Sequence, residues 1–209
     1  MLETLSTRLR ANSDVEASPW YFDGSRDLSD QAHKDVVLQI GDFHFGGGRT
    51  RVRTLLGSCV SITMWHPRLK VGGMCHYLLP KRGHTEVAQG ASEGNYAEGA
   101  MQMFLREIRR ARTRPEEYIV KLFGGGSMFQ EAGGDGFVIP SRGKADPPHS
   151  VADQNVNAGR ALLDQNGFSI AAEHVGGYGS RVLIFEVWSG DVWLRRGGPL
   201  AAKTTGVAA

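Results

Sequence analysis

A thiol and an imidazole are the side chains of this sequence best suited to covalent chemistry, and Cys59 and His76 fall on the two arms of one predicted hairpin. A thiol attacks a carbonyl as its thiolate, so a cysteine hydrolase needs a base beside the sulfur. The strand-like runs Ser58 to Trp65 and Val71 to Leu79 are joined by His66-Pro67-Arg68-Leu69 and stopped by Pro80. Alternation puts Val60, Ile62 and Met64 on one face and Cys59, Ser61 and Thr63 on the other. Proline favours the second position of a type I turn, which centres the turn between Pro67 and Arg68, pairs Trp65 with Lys70 and sets Cys59 opposite His76. Opposed residues have Cβ atoms about 4.5–5.5 Å apart, close enough for a Cys-His dyad, and a slip of one residue would part them. The competing plain reading is that a strand cysteine is a small buried hydrophobe and a hairpin histidine a polar tip. Cys75 points to the opposite face, with Gly73, Tyr77 and Leu79, and reads as packing.

The elements that must hold this hairpin are legible from periodicity and turn residues. Strands are predicted at Val36 to Ile40 and Arg51 to Leu56, separated by Gly46-Gly47-Gly48. Asn95 with Glu98 three positions on reads as the N-cap of a helix reaching about Arg112 through Ala100, Met103, Phe104, Ile108 and Ala111. A strand follows at Tyr118 to Phe123, then a long Gly/Pro-rich loop at 130–150. A second helix at about 153–165 is closed by Asn166-Gly167. Strands at Ser169 to His174, Arg181 to Glu186 and Val192 to Arg195 complete the chain, with turns at Gly176-Gly177 and Ser189-Gly190. This order predicts a single-domain α+β protein over residues 36–196, preceded by a polar, mobile extension over 1–35 and followed by a flexible tail at 197–209.

Composition narrows the function. The 209 residues are 41% hydrophobic, enough for one sizeable core. A net charge of +2, from 24 basic and 22 acidic residues mixed along the chain, lacks the basic stripe of a nucleic-acid binder. No apolar run approaches the roughly 18–20 residues that span a bilayer, and MLETLSTRLR lacks a secretory stretch, so the expected location is the cytoplasm, without membrane insertion. The two cysteines and scattered histidines give no zinc-like spacing, so neither metal nor cofactor is expected. Gly124-Gly125-Gly126 lacks the spacing and lysine of a nucleotide loop and reads as tight packing. The arginines at 106, 109, 110, 112 and 114 read as a solvated helix face, with an acidic partner surface as a lesser alternative.

The string TLLGSCVSITMWHPRLKVGGMCHYLLP, from Thr54 to Pro80, resembles the signature of the chemoreceptor glutamine deamidases of the CheD family. YAEGAMQMFLREIRR at 96–110, KLFGGGSMF at 121–129, Asn155, EHVGGYGSR at 173–181 and SGDVWLRR at 189–196 continue the likeness in order. The resemblance implies an α+β sandwich of mixed β-sheets with two main helices, like the cytotoxic necrotizing factor deamidases. It makes Cys59 the nucleophile and His76 its partner. A threonine before the LGSCV block completes the family's site; Thr54 is the candidate, with Arg53 able to occupy the equivalent point. Backbone N–H groups at Gly57, Ser58 and Cys59 are the natural oxyanion donors.

By the same resemblance the activity is that of a protein-glutamine glutaminase. Its substrates would be glutamines on the cytoplasmic helical bundle of methyl-accepting chemotaxis receptors, and a CheC-type phosphatase is a further partner in some organisms. The alternative is a module that binds receptors or CheC and does no chemistry.

Overall fold

A computed structural model describes residues 32–82, 92–127 and 150–197. All but the last four residues of the expected extension, most of the 130–150 loop and nearly all of the tail lie outside the described residues. Nine strands form two mixed sheets. One has the order β1 (Lys34–Val37), β3 (Thr50–Leu56), β8 (Arg181–Glu186), β9 (Asp191–Arg196). The other has the order β2 (Phe43–Gly47), β5 (Val71–Cys75), β4 (Val60–His66), β6 (Ile119–Gly124), β7 (Ile170–Val175). Helices α1 (Ala97–Arg110) and α2 (Val151–Gln165) cover the outer face of the five-stranded sheet.

Two apolar layers hold these parts together. Val60, Ile62, Met64, Cys75, Tyr77, Val120 and Leu122 meet Ala100, Phe104, Ile108, Val156 and Leu163 of the helices. Between the sheets lie Val52, Leu56, Met74, Phe123, Leu183, Phe185, Val192 and Leu194. β4 is therefore buried on both faces, and its Ser61 and Thr63 side faces the second sheet rather than solvent. Most of the residues just named come from strands whose alternation sorts them between these layers. β6 and β7 run parallel, and α2 supplies the crossover that a parallel pair requires.

Several predicted boundaries move, each for a local reason. The first strand is Lys34–Val37 rather than Val36 to Ile40, and Phe43–Gly47 is a strand where a glycine turn was expected. Gly48, at φ 71, makes the turn. The first helix starts one residue later than Asn95 implies. Ser92 caps a short 3₁₀ turn over Glu93–Asn95, and Tyr96, with extended backbone, precedes α1. α2 begins at Val151, two residues before the expected start, because Ser150 accepts the Asp153 amide as its cap. Arg106 and Arg110 pair with Glu93 and Glu107 at the surface, as a solvated face should.

The hairpin register also differs. Thr63 pairs with Met74, Trp65 with Gly72 and His66 with Val71, so Trp65 does not face Lys70 and Cys59 does not face His76. His66 stays in β4 because its ring is buried edge-on against Tyr118, 5.2 Å between centroids. The four-residue turn consequently moves on by one position, to Pro67 through Lys70: the Lys70 amide bonds the His66 carbonyl at 2.9 Å, and Lys70 adopts φ 53. The shift is by an even number of positions, so side chains keep their faces. A bridge between Val60 and Tyr77, with both N–H···O bonds at 3.0 Å, places Cys59 and His76 diagonally on one face. Such diagonal neighbours sit about 7–8 Å apart, a gap that the length of an imidazole can largely cross.

Candidate active site

Cys59 lies where the chain leaves β3 of one sheet and enters β4 of the other, immediately after the Gly57-Ser58 turn. Three donors fix this corner through its carbonyls. The Gly126 amide bonds the Gly57 carbonyl at 2.7 Å, Asn155 Nδ2 bonds the Ser58 carbonyl at 3.2 Å, and the Gly125 amide bonds the Cys59 carbonyl at 2.8 Å. A Cβ on Gly124 would stand 2.1 Å from the Cys59 carbonyl oxygen, and Gly124 has φ 119. The glycine run is thus a packing device for the corner. Arg181, 1% exposed, braces it from behind by donating to the Gly124 and Gly176 carbonyls, and burial lowers its pKa to about 10.

His76 follows the end of β5 and is held by the chain between β1 and β2. Its amide donates to the Asp42 carbonyl at 3.1 Å, and its carbonyl accepts from Gly41 at 2.7 Å. Nδ1 lies 2.8 Å from Thr54 Oγ1, whose hydroxyl donates to the Leu38 carbonyl at 2.8 Å. A hydroxyl has one proton, so Thr54 accepts at Nδ1 and the imidazole carries its hydrogen there. Nε2 then bears the lone pair. It is buried and makes no hydrogen bond among the described residues. Thr54 is therefore the residue on His76, while Arg53 is exposed on the opposite face of β3.

Burial sets the protonation of both groups. Cys59 is 8% exposed, in the layer between the sheets. Desolvation raises its pKa, partly offset by the amides of Cys59 and Gly57. Desolvation lowers the pKa of His76, against the Leu38 carbonyl and Asp42. The resting pair is a neutral thiol with a neutral imidazole, suited to proton transfer when an electrophile arrives.

Gly57 and Ser58 are half-buried in the corner. Among the described residues, neither the Ser58 nor the Cys59 amide donates to a backbone carbonyl, which leaves both N–H groups available. Asn155, fully buried near the start of α2, gave no chemical signal in the sequence beyond its place in the resemblance. Arg181 was read only as the first residue of a strand, at the end of a block of the resemblance.

The CheD chemotactic sensory transduction family model matches residues 78–196, starting just past His76. "Probable chemoreceptor glutamine deamidase CheD 3" of Dechloromonas aromatica is 46% identical over 160 residues, covering 77% of this chain and 86% of that protein. The chain belongs to the CheD family. "Probable chemoreceptor glutamine deamidase CheD" of Pseudomonas syringae pv. syringae is 44% identical over 163 residues, covering 77% and 84%. The Bacillus licheniformis hypothetical protein YfiH, a solved structure, is similar over 69% of this chain and 60% of its own at 16% identity, with a TM-score of 0.38, too low to carry weight. No helix among the described residues of this CheD chain is long and apolar enough to cross a membrane. No group of three or more His, Cys, Asp or Glu side chains among them could hold a metal ion.

The two cysteines of this CheD protein should separate cleanly. Cys75 is fully buried in the layer under the helices, its sulfur accepts the Ile62 amide at 3.4 Å, and burial pushes its thiol up to about 12. Iodoacetamide should label Cys59 and leave native Cys75 untouched, with labelling that speeds up as pH rises toward the elevated Cys59 pKa. Cys75→Val should stay active at a stability change of about 1 kcal/mol. Peptide mapping showing Cys75 modified first in folded protein would refute this.

Proposed function

We propose that this protein hydrolyses glutamine side-chain amides of methyl-accepting chemotaxis receptors to glutamate through a Cys59 thioester. The observation that carries the reading is the Thr54–His76 bond, which leaves Nε2 as the base on the face shared with Cys59. His76 Nε2 takes the thiol proton, the sulfur adds to the glutamine carbonyl, and a tetrahedral oxyanion forms. The imidazolium returns the proton to the amide nitrogen, ammonia leaves and a thioester remains. Water, activated by the same neutral imidazole, hydrolyses it and regenerates the thiol. The Ser58 and Cys59 amides face the developing oxyanion; one such donor is worth roughly 3–4 kcal/mol in comparable sites. No step requires a metal or cofactor.

The relatives' names support the substrate class, and the glutamines would lie on the cytoplasmic helical bundle of the receptors, so the enzyme works in the cytoplasm. A CheC-type phosphatase is the proposed regulatory partner. Incubation with receptor cytoplasmic fragments, followed by peptide mass spectrometry, tests the reading: specific glutamines should gain the small mass of an amide-to-acid conversion, with ammonia released. A folded protein that converts no glutamine while still binding the fragment would replace the enzyme with a binding module.

A further inference from the structure

Asn155 is 0% exposed, and its amide group reaches two carbonyls far apart in sequence. Nδ2 donates to Ser58 at 3.2 Å and to Leu78 at 2.6 Å. Both partners can only accept, so the carboxamide turns its nitrogen toward them. Its own backbone carbonyl accepts the Tyr77 hydroxyl at 2.9 Å, and Gly159, one turn on, leaves room for that ring: a Cβ there would sit 2.4 Å from the hydroxyl. One residue of α2 thereby holds the residue before Cys59 and the two residues after His76.

The Ser58 carbonyl and the Cys59 N–H belong to one peptide plane and point in opposite directions. Pinning the carbonyl toward α2 aims the Cys59 amide away from the helix, toward the thiol, where backbone N–H groups of the corner already act on the sulfur. The neighbouring planes are fixed by backbone donors, Gly126 on the Gly57 carbonyl and Gly125 on the Cys59 carbonyl. The plane that carries the Cys59 amide is held by a side chain. Asn155 Oδ1 is buried with no hydrogen-bond partner among the described residues, so the carboxamide is kept there for its two donated hydrogens.

We infer that Asn155 is a positioning residue that aims the Cys59 amide at the oxyanion of the tetrahedral intermediate. This rests on the deamidase reading above. It acts through the Ser58–Cys59 peptide and touches no substrate.

The discriminating comparison is between glutamine turnover and alkylation of Cys59. Iodoacetamide reacts with a thiolate by displacement at a saturated carbon, with no oxyanion to stabilise, so it reports the nucleophile alone. In Asn155→Ala and Asn155→Asp, kcat on receptor fragments should fall on the order of 100-fold with KM within about twofold, the pattern for a lost transition-state contact. Cys59 alkylation should stay within about threefold of wild type. Where either variant fails to fold, Asn155→Ser keeps one donor and should show an intermediate loss of about tenfold. Turnover within about threefold of wild type in the folded variants overturns the inference alone, and so does alkylation that falls in step with turnover. An inactive wild-type enzyme overturns the deamidase reading itself, and this inference with it.

Discussion

Cys59→Ala is expected to fold and to deamidate nothing. The substitution removes a single sulfur from the layer between the sheets, where Leu56, Met74, Phe123 and Leu183 remain, so melting should shift by about 1 kcal/mol of stability. The corner itself is held through carbonyls of Gly57, Ser58 and Cys59, and these bonds survive because none uses the side chain. Activity is another matter. Without the sulfur the covalent route closes, and losses from removing a nucleophile reach on the order of 10⁶-fold in well-studied hydrolases. Circular dichroism and thermal melting would establish the fold, and mass spectrometry of receptor peptides the activity. A folded Cys59→Ala protein that turns over receptor glutamines at the wild-type rate would end the thioester mechanism.

His76→Ala should cost on the order of 10³-fold near neutrality, within the usual range for a lost general base. The pH dependence carries the sign. Desolvation lowers the His76 pKa, so the neutral, competent imidazole persists below the ordinary 6.5, and wild-type activity should fall only as the medium becomes more acidic than that value. Desolvation raises the Cys59 pKa, so without the imidazole the thiol is un-ionised at neutrality and must lose its proton to solvent. The variant's rate should therefore climb about tenfold per pH unit through the alkaline range, while the wild type is flat. A variant with the wild-type profile, uniformly slower, would remove His76 from proton transfer and leave it a structural part.

How much of this was legible from sequence varies residue by residue. β8 falls at Arg181 to Glu186 as predicted, since the strand alternates cleanly between turns at both ends. The Cys59, His76 and Thr54 set came from ordered blocks of family likeness, and the structure places Thr54 against His76. The hairpin register was misread because the burial of His66 against Tyr118 is a tertiary contact, between residues far apart in sequence, and it outweighs local turn preference. β2 was missed because Phe-His-Phe-Gly-Gly looks like the approach to a turn until it finds β5 as a partner. The clamp at Asn155 was invisible, since no period in the sequence reports which carbonyls a buried carboxamide will meet.

Cys59, the proposed nucleophile, sits where the chain passes from one sheet to the other, and the histidine proposed as its base is bonded by a threonine on the opposite sheet. On the proposed mechanism, neither sheet alone contains a working site. A nascent or partly melted chain therefore carries an ordinary cysteine and an ordinary histidine, and becomes a hydrolase only when the two layers close on each other. An enzyme built on that mechanism would be self-licensing: it would spare bystander glutamines until it is whole, and its activity, followed on heating, should mark the moment the sandwich comes apart.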